Sequence, residues 1–239
     1  MSSFVQAYKI DQSCDAKGVT VDVRNAMTSA FEMVSAAYET LTQPPLSSDA
    51  QDLVGFLFAR EGANPAQLLQ QGKLEKTIKL LRNIRTYMST EVTGDATVSA
   101  SDVIQLCSWF VDWIKQKEYK TADDVQKRTK IGRKMIDRAA SNRMTFGLGL
   151  NQIDAYSLLD KVLLHEMTHA RGAFQEWTKK GVVEGIKDVL TPNIILRPFN
   201  WAAYGWEGVG KLARKGGELN TPGGPDNNAD TIALFGSGT

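Results

Sequence analysis

The stretch Leu163-Leu164-His165-Glu166-Met167-Thr168-His169-Ala170 constrains this chain more than any other. Two histidines four apart act together only on a helix, where side chains at i and i+4 share one face. The chain has two histidines in 239 residues, and both are here. The spacing lets both imidazoles reach one ion. Zn²⁺ takes neutral imidazole nitrogens and, in catalytic sites, keeps a further position open for water. Glu166, directly after the first histidine, is the natural base for that water, whose pKa the metal lowers. The plain alternative is a buried amphipathic helix carrying two hydrogen-bonded core histidines.

The surrounding residues suit such a helix. Asp154 or Ser157 can cap its start by accepting from free backbone N–H groups. Leu158, Leu159, Val162, Leu163 and Met167 form an apolar stripe at helical spacing, and Leu158 and Val162 continue the line of the histidines. Gly172 is placed to end the helix in a left-handed turn.

The rest of the composition narrows the class. Hydrophobic residues at 42% and charged ones at 23% are ordinary for a soluble globular protein, and no linker or repeat divides residues 1–239, so one domain is expected. A net charge of +1 offers no electrostatic reason to expect nucleic acid or an anionic membrane as partner. No apolar run reaches membrane-spanning length, and Met1-Ser2-Ser3-Phe4 lacks the basic and apolar regions of a signal peptide. Cys14 and Cys107 are the only cysteines. They fit either one long-range disulfide in an oxidising compartment or two unlinked thiols in the cytosol.

Taken in order, the chain reads as mostly helical. Phe4 to Ile10 is an extended lead-in. Ala26, Ala30, Met33, Ala37 and Leu41 recur at helical intervals between Val21 and Leu41, and Pro44-Pro45 stops that helix. Ser47 and Ser48 can cap a second helix with Leu53, Phe56, Leu57 and Phe58. Asn64-Pro65 opens a third, expected to run to about Met88, with Lys73, Lys76, Lys79, Arg82 and Arg85 as a solvated face. Ser101 to Cys107 is the best strand candidate. The aromatic cluster Trp109, Phe110, Trp113 and Ile114 after it reads as core, or as a substrate-facing edge strand.

Residues 117–143 are charge-rich and read as a surface connection with some helix. Phe146 to Leu150 is a glycine-punctuated apolar piece without the spacing of a phosphate loop. Helical spacing resumes from Phe174 to Leu190, Pro192 and Pro198 bracket an extended piece, and a short helix carries Val209 and Leu212. Residues 215–227 form a loop, Asn228 to Phe235 a short helical turn, and 236–239 a flexible tail.

Three features together resemble the deuterolysin and lysine-specific metalloendopeptidase family, the aspzincins. They are Leu164-His165-Glu166-Met167-Thr168-His169, Ala203-Tyr204-Gly205-Trp206, and Asn228-Ala229-Asp230 through Phe235, where Ile232 stands in place of the family's Tyr. Ile10 to Asp15 and the helix after it are also similar to secreted members. The resemblance implies an α+β, predominantly helical zincin-like fold with a small sheet at the cleft, and hydrolysis of internal peptide bonds. By it, His165 and His169 bind zinc, Glu166 is the general base, and Tyr204 donates to the oxyanion. A core aromatic between Trp201 and Trp206 is the other reading of Tyr204. A peptide or protein substrate, a monomer, a secreted mature form and a Cys14–Cys107 disulfide are implied too. Two free thiols would place the chain in the cytosol.

One departure stands out. The family's third ligand is an aspartate three residues before the tyrosine, and Trp201 occupies that position. Asn200 offers only a neutral amide oxygen. Glu184 as ligand, with Asp188 as partner of a histidine on a downstream helix, is a second candidate, and Glu207 and Asp230 are others. If no third ligand exists, the alternative is a catalytically degenerate zincin-fold protein that binds metal or a partner.

Overall fold

The longest helix among the described residues organises the core around it. A computed structural model describes residues 8–92, 103–117, 120–121, 159–174, 186–190 and 202–239. Helix α2 (Thr20–Thr42) follows the short α1 (Ser13–Lys17) and buries Val23, Ala26, Met27, Ala30, Met33, Val34, Ala37 and Leu41. The small residues in that stripe let neighbouring helices approach closely. Against it pack α5 (Glu75–Tyr87) and α7 (Leu159–His169), and α9 (Ala229–Gly238) covers α7 and reaches α2 and α3 (Ser48–Phe58). Helix α8 (Gly205–Lys215) lies on α3, joined by a stack of Phe56 on Trp206 with centroids 4.0 Å apart.

Every residue of α9 from Ala229 to Gly236 is buried. Phe235 meets Phe58 edge to face, and a Cβ on Gly236 would lie 2.7 Å from Leu164 Cδ2. The closing segment is thus wedged between the helix that carries the histidines and the rest of the core. Residues 236–238 continue the helix, and Ser237 Oγ donates to the Ala233 carbonyl.

Several expectations hold and several are corrected. Ser47 caps α3 by accepting from Ala50 N, and Asn64 caps α4 (Pro65–Gln70) by accepting from Ala66 N. The expected single helix from Pro65 to Met88 is two, because Gly72 takes a left-handed φ of 66° and turns the chain between α4 and α5. The strand expected at Ser101 to Cys107 is not formed over 103–107. That segment is the lead-in to α6 (Ser108–Gln116), whose N-cap position is Cys107. The aromatic cluster therefore lies on a helix: Val111 and Ile114 are buried, whereas Trp109 is 70% exposed.

Helices predominate among the described residues, and these contain no β-strand. Isolated bridges join Tyr8 to Glu91, Lys187 to Asn228 and Leu190 to Ala202, so the small sheet of the expected α+β fold is not formed by them. Cys14 and Cys107 are both free thiols, the first half-buried against the core and the second exposed at the start of α6, so the expected disulfide is corrected. No helix among the described residues is long and apolar enough to cross a membrane. The expectations at Phe4 to Ala7, Phe146 to Leu150 and Pro192 to Pro198, and most of 117–143, lie outside the described residues.

Candidate metal centre

Helix α7 brings the two histidines to one place. Leu159, Leu163, Leu164 and Met167 bury its other side, while His165, Glu166 and His169 stay half-buried. Residues Asp154, Ser157 and Leu158 lie outside the described residues. The first turn instead holds buried Asp160, which accepts from Ser29 Oγ and from Lys161 N, both at 2.8 Å. The helix gives way to a 3₁₀ turn at Arg171–Phe174, so Gly172 is not the left-handed cap that its position suggests.

The geometry of the two rings follows from what faces each nitrogen. His169 Nδ1 contacts the Ile186 carbonyl oxygen. A carbonyl has no proton to give, so Nδ1 is the donor and Nε2 of the neutral ring keeps its lone pair. The Nε2 atoms of His165 and His169 face each other at 3.3 Å. Asp188 Oδ1 stands 3.3 Å from the first and 3.8 Å from the second. The circle through these three atoms has a radius of about 2.0 Å, which is a Zn–N or Zn–O bond length. Two imidazoles and a carboxylate are also a donor set that zinc accepts. Among the described residues, His165, His169 and Asp188 form the group able to hold a metal ion.

Asp188 Oδ1 tests the fit. It is buried and accepts no hydrogen bond, although it lies at ion-pair distance from the rings. A buried carboxylate oxygen without a donor is costly, and a cation between the three atoms supplies what it lacks. Without metal, charge on His165 does this duty. Burial opposes that charge, but the attraction of the nearby Asp188 and Asp230 carboxylates outweighs it and raises the His165 pKa to about 9. Burial likewise pushes the Asp188 carboxyl up, yet His165 and Tyr204 hold it below the usual carboxylate range, so it is ionised at neutral pH.

The extended segment that carries Asp188 is held by Asn228. Its side-chain oxygen accepts from Val189 N at 2.9 Å, and its amide donates to the Ala203 carbonyl at 3.0 Å and to Thr231 Oγ1 at 3.1 Å. Ala203 N donates to the Val189 carbonyl at 2.7 Å. One buried amide thus ties the Asp188 segment to the segment that carries Tyr204. The Tyr204 ring is 53% exposed rather than a core aromatic, and its hydroxyl donates to Asp188 Oδ2 at 2.6 Å. Burial of the hydroxyl end and the neighbouring carboxylate raise its pKa, so it stays a donor at neutral pH.

The other candidates separate clearly. Glu166 is half-buried between the two histidines on α7, and its charge is felt at Tyr204. Asp230 lies on the Nδ1 side of His165, at 3.5 Å, rather than with the Nε2 atoms, so it is not one of the converging ligands. Glu207 pairs with Lys211 on the exposed face of α8 and is not among the converging groups. Glu184, Asn200 and Trp201 lie outside the described residues. Asp188 was expected on a helix as partner of a ligand; residues 186–190 are extended, and it faces both rings directly. A signal for it in the sequence is faint, because its place depends on Asn228, far along the chain. Comparison of the chain with protein-family models, with curated proteins and with solved structures gives no match, so the reading of this centre rests on its own residues.

Proposed function

We propose that this chain is a zinc-dependent endopeptidase, a divergent zincin-like protein of the aspzincin type, in which His165, His169 and Asp188 hold the metal. The observation that carries the reading is the convergence of two Nε2 atoms and an unpartnered, buried carboxylate oxygen on a circle of zinc-bond radius, about 2.0 Å. The sequence resemblance supports it, since the tyrosine and the Asn-Ala-Asp segment both meet at this place.

Held by His165, His169 and Asp188, zinc would supply an acidified water and polarise the scissile carbonyl. Glu166 accepts a proton from the attacking water as its oxygen bonds to the carbonyl carbon. It then delivers that proton to the departing amine as the C–N bond breaks. Tyr204, kept protonated by its surroundings, turns its hydroxyl from Asp188 to the oxygen on which negative charge develops. Its half-exposed ring leaves room for that turn.

The test is hydrolysis of an unstructured protein such as casein by zinc-loaded protein. Cleavage should stop with chelator, return with zinc, and fall by ~10²–10⁴-fold in Glu166→Gln. Tight zinc binding without cleavage, or a Glu166→Gln variant as fast as the parent, would replace this reading with that of a metal-binding protein on the same scaffold.

A further inference from the structure

Asp230 touches three residues at once. Its Oδ1 lies 3.1 Å from Lys161 Nζ and 3.5 Å from His165 Nδ1, and its Oδ2 accepts from Gly205 N at 2.6 Å. Lys161 and His165 are one turn apart on α7, so Oδ1 sits between them on one helix face. The side chains are 7% exposed for Asp230 and 14% for Lys161. A carboxylate buried so deeply is retained only with good partners, because taking an ion from water costs several kcal/mol, on the order of the whole stability of many domains.

We propose that Asp230, steadied by Lys161, is a positioning residue that sets both the ligand nitrogen of His165 and the placement of Tyr204. This rests on the metal-centre reading above and adds to it residues that bind no metal. An ionised carboxylate accepts protons in hydrogen bonds and donates none, so facing Nδ1 it holds the hydrogen there and turns the Nε2 lone pair toward Asp188 and His169. Its other oxygen grips the amide directly after Tyr204, at the start of α8. The 5.7 Å separation of the His165 and Tyr204 rings is therefore governed from both sides by one group. Lys161 balances the charge of Asp230, so this second carboxylate does not add an unpaired negative charge beside Asp188.

The experiment measures zinc affinity by competition with a chromophoric chelator, and the Co²⁺ absorption bands, for the parent chain, Asp230→Ala, Asp230→Asn and Lys161→Met. Asp230→Ala should weaken zinc binding by ~10–100-fold and shift the cobalt bands. Asp230→Asn keeps an acceptor for Gly205 N but loses the charge, and should fall between Asp230→Ala and the parent. Lys161→Met should weaken binding in the same direction by less. A group serving only the fold would lower stability without moving the affinity or the bands of folded protein. Folded Asp230 variants within about twofold of the parent, with unchanged bands, overturn the proposal. Should Asp230→Ala fail to fold, Asp230→Asn decides. A parent chain that binds no zinc overturns the metal centre itself, which is a different result from a parent that binds and variants that match it.

Discussion

Tyr204 donates its hydroxyl hydrogen to Asp188 Oδ2 at 2.6 Å, while Asp188 Oδ1 faces two imidazole nitrogens with no donor of its own. The two oxygens of one carboxylate are thus divided between an exposed aromatic and a pair of half-buried rings. Each group at the candidate centre is held by a residue outside the converging set: Ile186 for His169, Asp230 for His165, Asn228 for the segment of Asp188.

Replacing Tyr204 with Phe separates the two roles of its hydroxyl. Loss of an oxyanion donor should lower kcat by ~10²–10³-fold. Zinc affinity should fall less than tenfold, roughly, since Asp188 keeps its place through Asn228. Steady-state kinetics on a fluorogenic peptide, beside a zinc titration, check both. An unchanged kcat with weakened zinc would make Tyr204 a support for Asp188 alone.

Asn228→Ala should unfold the chain more easily. The substitution leaves Val189 N and the Ala203 carbonyl without their partner in a buried place, for a cost of about 2–4 kcal/mol. Urea unfolding in the presence of chelator gives this number. Zinc affinity should drop as well, because the tie between the Asp188 and Tyr204 segments is cut.

The metal-free protein should have a distinctive response to pH. The pKa of His165 is raised from 6.5 to about 9 by Asp188 and Asp230 against the opposing effect of burial. A raised folded-state pKa contributes stability that is complete below about 6.5 and is lost as pH rises through about 9. Zinc must displace that proton, so its apparent affinity should climb over the same window and binding should release protons. Urea midpoints in chelator and zinc titrations at pH 6, 7.5 and 9 follow both, with the His165 contribution falling and the affinity rising.

What could be read from the chain alone divides along the range of the interactions. The helix that carries His165 and His169, the caps at Ser47 and Asn64 and the apolar stripe of α2 are local patterns, set by helical spacing, and these elements are formed. The break at Gly72 was hidden because apolar spacing continues across it, and the left-handed φ is a matter of one residue. Val103 to Cys107 looked like a strand through its β-branched residues, yet pairing needs a partner edge that composition does not report. Asp188 was the hardest. Periodicity from Phe174 onward suggests a helix, and only the side chain of Asn228 reveals that residues 186–190 are drawn out beside the histidines.

The close approach of α9 to α7 supplies a test at a distance from the centre. In Gly236→Ala the new methyl would lie 2.7 Å from Leu164 Cδ2, inside a fully packed core. Overpacking of this kind should cost about 1–3 kcal/mol in urea unfolding. Leu164 precedes His165, so zinc affinity should weaken too. A stable variant with unchanged affinity would mean the two helices separate without disturbing the ligands.

If His165, His169 and Asp188 share one ion, zinc stoichiometry will reveal it. After equilibration with zinc and removal of excess, elemental mass spectrometry on the parent chain should find one zinc per chain. Folded Asp188→Ala, keeping both histidines, should retain little or none under the same conditions. A parent chain without zinc, or an Asp188→Ala variant that holds it equally well, would contradict the account.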